Sequence, residues 1–185
     1  PTVNSGLGVS LATVAKRVIE ACAKLGLKNL TLFTFSTENW FRPSDEVSFL
    51  MTLLNRRLKR ETPTLLRNNI RFHCIGQLDR LPSSVQDRVK ETMRLTKDCT
   101  GMNLTFALSY GGRQELAEAA RNLAQQVATG EIDPAEIDEA KLAGALGSSF
   151  LPDPDLIIRT SGEYRLSNFF LWQAAYSEIY ICDQS

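Results

Sequence analysis

The sequence predicts an α/β fold, with a mainly parallel central sheet flanked by helices on both faces, as one layered domain over residues 1–185. Two observations carry this. Short apolar, β-branched or aromatic runs alternate along the chain with longer segments whose apolar residues recur at helical spacing. No internal repeat, low-complexity tract or linker breaks the alternation. Strands joined by helices return through right-handed crossovers, which makes neighbouring strands parallel.

The elements follow in order. Leu11, Val14, Val18, Cys22 and Leu25 fall on one helical face, and Gly26 stands where such a helix stops. Leu30 to Phe35 is a strand-sized apolar run. The polar stretch 36–43 follows, and Ser44-Asp45-Glu46 predicts a capped helix start with two acids in the first turn. That helix carries Val47, Leu50, Met51, Leu54 and Leu58 on one face. Ile70 to Gly76 reads as the second strand, with His73 inside it as a structural residue. Ser83-Ser84-Val85-Gln86 has the spacing of a capping box. Asn103 to Leu108 is the third strand, followed by an alanine-rich helix ending at Gly130 and a short helix reaching Leu146. Asp155 to Arg159 is the fourth strand. A short aromatic helix over 168–175 and a last strand over 178–182 complete the pattern.

Composition narrows the function classes. With 21 basic and 21 acidic residues the net charge is zero, which argues against a nucleic-acid binder. A small anionic ligand needs only a local arginine cluster. Four scattered cysteines without CxxC spacing read as reduced thiols, and a single histidine leaves little for a zinc site. No stretch approaches the ~18 apolar residues of a membrane-spanning helix. A cytoplasmic setting is expected, with an organelle left open. Pro1-Thr2-Val3-Asn4 lacks an initiator Met and Asp183-Gln184-Ser185 ends abruptly, so both ends read as trimmed.

In open parallel sheets, ligands bind beyond the carboxyl ends of the strands. The first strand delivers Ser36, Glu38, Asn39, Trp40 and Arg42 there. The second delivers Gly76 and Gln77, and the third Ser109, Tyr110, Gly111, Gly112 and Arg113. The fourth delivers Arg159, Thr160, Ser161, Gly162, Glu163, Arg165 and Ser167. Guanidinium forks match phosphate oxygens, and glycine turns let backbone N–H groups approach an anion. From the residues alone, the segment 159–168 is either a diphosphate cradle or a surface loop with Arg–Glu pairs. Gly111-Gly112 either approaches a ligand or supplies positive φ. Glu178 opens the last strand as a solvated end residue unless a metal binds nearby.

Three long motifs in sequence resemble the cis-prenyltransferase family, which includes undecaprenyl diphosphate synthase. Phe35 to Pro43 reads FSTENWFRP, Ser109 to Arg113 reads SYGGR, and Asp155 to Gln173 reads DLIIRTSGEYRLSNFFLWQ, with Ala175-Tyr176-Ser177-Glu178 after it. The resemblance runs in order from about residue 12 to 183. It implies condensation of isopentenyl diphosphate with an allylic diphosphate such as farnesyl diphosphate, each new double bond being cis, in a homodimer that uses Mg2+. It further implies that Arg159, Arg165 and Ser167 hold isopentenyl diphosphate and that Glu178 binds Mg2+. Ser36, Glu38 and Asn39 would serve catalysis by shaping the site and aiding proton removal, with Trp40 and Arg42 as substrate contacts. The helix with Val47, Leu50, Met51 and Leu54 lines either an apolar tunnel or a plain core. A long product implies peripheral membrane contact.

The resemblance departs at both ends. The family's first strand and its DGNGRW-like phosphate loop, whose Asp is central, have no counterpart here. Ser5-Gly6-Leu7-Gly8-Val9 stands where a GH-x-x-G start is expected, and the arginine-rich C-terminal tail is missing. These 185 residues alone are therefore expected to turn over little. The competing readings are a non-catalytic partner subunit of a cis-prenyltransferase complex and an unrelated phosphate-binding α/β module.

Overall fold

The computed structural model describes residues 5–183. Its helices are α1 (Ser5–Lys24), α2 (Ser44–Arg67), α3 (Ser83–Leu95), α4 (Gly112–Ala128) and α5 (Glu139–Ala145). Its strands are β1 (Asn29–Ser36), β2 (Arg71–Ile75), β3 (Asn103–Tyr110), β4 (Leu156–Arg159) and β5 (Glu178–Ile181). Short 3-10 turns lie at Thr37–Phe41, Leu78–Arg80 and Pro134–Glu136. Backbone proximity divides the chain into two compact units, Pro1–Ser109 and Tyr110–Ser185. The α/β class and the helix-flanked parallel sheet agree with the sequence pattern, and the five strands among the described residues form two hydrogen-bonded sheets, one of three strands and one of two.

In the first unit the order is β1-β3-β2. β2 and β3 run parallel, with Arg71 opposite Asn103 and Ile75 opposite Ala107. β3 is the central strand. Leu104, Thr105, Ala107, Leu108 and Ser109 are all buried on it, whichever face they take. That is the pattern of a strand covered on both sides. α2 packs on α3, and both pack on β2. The core gathers Ile70, Phe72, Leu104 and Leu108 from the strands with Val85 and Val89 from α3. Val47 and Met51 of α2 are buried in this same cluster, and Leu50 and Leu54 pack against it. His73 is half-buried on β2, its ring 3.3 Å from Asn103 Oδ1. Burial lowers its pKa.

Two expected helix starts differ in detail. Pro43, not Ser44, is the N-cap of α2, and Pro82, not Ser83, is the N-cap of α3; neither makes a side-chain cap. The proline ring fixes an extended entry and leaves the serine as the first helical residue. Gln86 makes no capping box. Its amide donates backward to Leu81 O at 2.8 Å and Asp79 O at 3.2 Å, tying α3 to the turn before it. The acids Asp45 and Glu46 do sit in the first turn of α2.

In the second unit α4 packs on α5, and β4 runs parallel to β5 with Leu156 opposite Glu178 and Arg159 opposite Ile181. The aromatic segment 168–175 forms successive turns instead of the expected helix. Asn168 and Phe170 have φ of 64° and 45°, which no right-handed helix accommodates.

The turn between α2 and β2 is locked to the turn before β3. Asn69 takes φ 54°, its Oδ1 accepts Thr100 N at 2.8 Å, and its carbonyl accepts Gly101 N at 3.0 Å. A Cβ on Gly101 would stand 2.4 Å from Asn69 O, a backbone atom with little freedom to move. Gly101→Ala should therefore lower stability by about 1–3 kcal/mol, read as a lower urea midpoint at unchanged slope.

Candidate functional site

The residues expected at the strand ends fall into two clusters, one in each unit. In the first unit, β1 ends at Ser36 and the chain tightens at once into the 3-10 turn carrying Glu38, Asn39 and Trp40. Ser36 N–H donates to Asn39 Oδ1 at 2.9 Å, so this side-chain carbonyl fixes the turn. Arg42 N–H donates to Asn39 O at 3.2 Å, closing it. Trp40 is set edge-on to Phe35 with ring centroids 5.0 Å apart. Its indole Nε1–H donates to Ser109 Oγ at 2.8 Å.

Ser109 also accepts Gln77 N–H on its carbonyl at 3.1 Å. The ends of β1, β2 and β3 therefore meet at one fully buried serine. Arg42 pairs with Glu46 at 2.6 Å one helical turn on, and both side chains are partly exposed. Thr37 Oγ1 is buried with no hydrogen-bond partner among the described residues. Sequence reasoning passed over Thr37, since a hydroxyl inside a polar run gives no sign of burial.

In the second unit, β4 ends at Arg159. The loop after it turns through Ser161 (φ 69°) and Gly162 (φ 62°) and returns to β5, Gly162 N–H donating to Cys182 O at 3.0 Å. Arg165 is exposed and pairs with Glu163 at 2.8 Å. Ser167 (φ 51°) begins a strained run with Asn168 and Phe170. Arg159 Nε is buried without a hydrogen-bond partner among the described residues. Glu178 is exposed and begins β5, opposite Leu156. The parallel register puts it about 10 Å along the ribbon from Arg159, at three residues of ~3.3 Å each.

The Gly111-Gly112 turn has its own reason. Neither glycine takes positive φ. A Cβ on Gly112 would stand 2.8 Å from Leu171 Cγ, so this glycine permits close packing of α4 on the aromatic turns. The start of α4 is occupied by Asn168, whose carbonyl accepts Gly112 N–H at 2.7 Å and whose Oδ1 accepts Arg113 N–H at 2.9 Å.

Glu115 organises the region behind this loop, and sequence reasoning missed it. It is buried, and its carboxylate takes three neutral donors. These are Tyr110 OH at 2.5 Å, the Gln173 amide at 2.9 Å and the Ser148 N–H at 2.9 Å. Gln173 also donates to Ser148 Oγ at 2.6 Å. Tyr110 in turn stands edge-on to Phe169 and Phe170. Burial, then the Glu115 hydrogen bond, push the Tyr110 hydroxyl well above the usual tyrosine range.

The sign of this shift follows from linkage. The stability that it contributes is complete below the unfolded value of about 10 and is lost as pH rises beyond it. Unfolding free energies from urea titrations at pH 8 to 11 should fall above pH 10 by up to about 1.4 kcal/mol per pH unit. Tyr110→Phe should be less stable at pH 8 by about 1–3 kcal/mol and should flatten that decline.

A family model described as "Putative undecaprenyl diphosphate synthase" matches residues 6–185. An isoprenyl transferase of Chlorobaculum tepidum is 52% identical over 162 residues, covering 88% of this chain and 61% of that protein. A ditrans,polycis-undecaprenyl-diphosphate synthase, (2E,6E)-farnesyl-diphosphate specific, of Lactiplantibacillus plantarum is 46% identical over 171 residues, covering 91% of this chain and 66% of that protein. The chain thus spans under two thirds of the length of these relatives. The crystal structure of lavandulyl diphosphate synthase from Lavandula x intermedia, in complex with dimethylallyl diphosphate, superposes with a TM-score of 0.94 at 36% identity. The match covers 99% of this chain and 79% of that one. The motif run, the parallel α/β layout and these matches agree, and the chain belongs to the undecaprenyl diphosphate synthase family of prenyltransferases.

Proposed function

We propose that this chain serves cis-prenyl transfer, condensing isopentenyl diphosphate with an allylic diphosphate such as farnesyl diphosphate. The observation that carries the reading is the buried Nε–H of Arg159, unpartnered among the described residues, at the end of β4 and just before the loop with Arg165 and Ser167. A buried donor left unmatched costs about 1–3 kcal/mol. A phosphate oxygen would remove that cost and is the acceptor for which a guanidinium is best shaped. Arg159, Arg165 and Ser167 are the proposed isopentenyl diphosphate contacts.

In the reaction a C–C bond forms between the alkene carbon of isopentenyl diphosphate and the allylic C1. The allylic C–O bond breaks, diphosphate leaves, and a proton departs from the former isopentenyl unit. Ser36, Glu38 and Asn39 are proposed to position the substrates and assist that proton's departure, and Trp40 and Arg42 to contact substrate. The tight turn that Asn39 closes on Ser36 supports a preorganised arrangement. The non-catalytic partner reading is not favoured, because a supporting subunit has no need of the substrate groups retained here.

Magnesium belongs to the proposal through the family's chemistry, with Glu178 as its carboxylate. Its usual ligands are one or two carboxylates with substrate phosphates and waters. Among the described residues no group of three His, Cys, Asp or Glu gathers for an ion, and Glu178 lies at the far end of the ribbon from Arg159. Substrate phosphates and waters would supply the rest of its coordination beside Glu178. A homodimer is also proposed. Leu156, Ile158 and Tyr180 share one face of β4 and β5 and are each half or more exposed, an apolar strip suited to a second copy. No helix among the described residues is long and apolar enough to cross a membrane. A polyprenyl product would bring peripheral membrane contact.

The test is incorporation of radiolabelled isopentenyl diphosphate into solvent-extractable product by the complete gene product, with farnesyl diphosphate and Mg2+. Labelled polyprenyl diphosphate is expected, and its absence would sink the reading. Arg165→Ala should raise KM for isopentenyl diphosphate about tenfold or more, with a smaller change in kcat, as for loss of a charge-assisted contact of about 1.5–3 kcal/mol.

A further inference from the structure

We propose that Arg80 is a positioning residue for Trp40, clamping the indole over the strand ends and keeping an unneutralised positive charge beside it. This rests on the reading of Trp40 as a substrate contact.

Arg80 ends the 3-10 turn that follows β2. Its guanidinium lies over the Trp40 ring, 5.2 Å from the centroid. Its Nη1–H donates to Gln77 Oε1 at 3.2 Å. Gln77 is itself fixed, its N–H on Ser109 O, and Ser109 Oγ receives the Trp40 indole N–H. The contacts close a circuit from Trp40 to Ser109, Gln77, Arg80 and back to Trp40. Phe35 packs edge-on against the same ring. Trp40 is therefore held at its ring, at its nitrogen and at a face, by residues from all three strand ends.

The electrostatics separate Arg80 from Arg42. Arg42 is matched by Glu46 at 2.6 Å. No ion pair forms on Arg80 among the described residues, where its partners are an amide oxygen and a π face. Neither neutralises a cation. An exposed guanidinium over an indole contributes modestly, ~0.5–1 kcal/mol. Its value here lies in orientation, because a half-buried indole could otherwise tilt. Sequence reasoning did not single out Arg80. It lies in an ordinary turn, and only the return of that turn to Ser109 brings it to Trp40.

The experiment uses a Trp172→Phe background, which leaves Trp40 as the only tryptophan of these 185 residues. Without ligand, Arg80→Ala should red-shift Trp40 emission and raise its acrylamide quenching constant about twofold, while Arg80→Lys falls between. Farnesyl diphosphate titrated against Trp40 emission should then bind Arg80→Ala about two- to five-fold more weakly, the equivalent of ~0.5–1 kcal/mol. Arg80→Lys should recover part of the loss, and turnover by the complete gene product should show a raised KM for farnesyl diphosphate at unchanged kcat. Resting quenching unchanged in Arg80→Ala overturns the clamp. Altered quenching with unchanged ligand affinity overturns its bearing on substrate. No ligand response in the parent protein overturns the diphosphate reading of this cluster and the substrate half of the proposal with it, while the resting measurement still decides the clamp.

Discussion

The first unit depends on how β3 ends. As the central strand it is buried on both faces, so its last residues cannot leave polar groups to solvent. Ser109 nonetheless turns into the left-handed region at φ 50° while fully buried. For a residue with a Cβ this costs of order 1–3 kcal/mol and survives only where surrounding contacts determine it. Two such contacts are present, the Gln77 N–H on its carbonyl and the Trp40 indole on its hydroxyl. The strain of one serine and the placement of the tryptophan are thus one constraint. The motif residues are positioned because β3 must stop there without leaving those groups unmatched.

The second unit meets the same problem differently. Ser167, Asn168 and Phe170 all take positive φ within four positions. Glycine would remove the strain, but the segment needs a capping amide at Asn168 and a buried ring at Phe170. Asn168 caps α4, Phe170 packs on Tyr110, and Gln173 is fixed by Glu115. A buried carboxylate would be costly alone. Three neutral donors make it a rigid hub whose removal leaves several polar groups unmatched at once.

Much of this was legible in the sequence, for identifiable reasons. The strands lie where apolar runs predict them; in β3 burial on both faces demands such a run, and β4 and β5 carry theirs while largely exposed. The motif loops stand at strand ends as expected. Ser44 and Ser83 misled as caps because a preceding proline took over the chain entry, and a capping pattern does not reveal that competition. The segment 168–175 has helical spacing of aromatics but a left-handed backbone, which composition cannot show. Glu115 escaped notice because its partners lie 5, 33 and 58 positions away in sequence. The separation of Glu178 from Arg159 follows from strand register, and only a paired strand displays it.

The arginines show why residue type alone underdetermines a site. Arg42 and Arg165 each hold a neighbouring carboxylate, Glu46 at 2.6 Å and Glu163 at 2.8 Å, in exposed or partly exposed pairs. Such pairs contribute only about 0–1 kcal/mol, so a multiply charged diphosphate can displace the carboxylate at little cost. Until then the pair limits the side chain's conformations. Arg159 differs, because its Nε is buried and no carboxylate satisfies it. The two arginines of one short segment thus differ in kind, Arg165 in an exposed pair that exchanges partners easily and Arg159 with a buried Nε–H that no group among the described residues accepts.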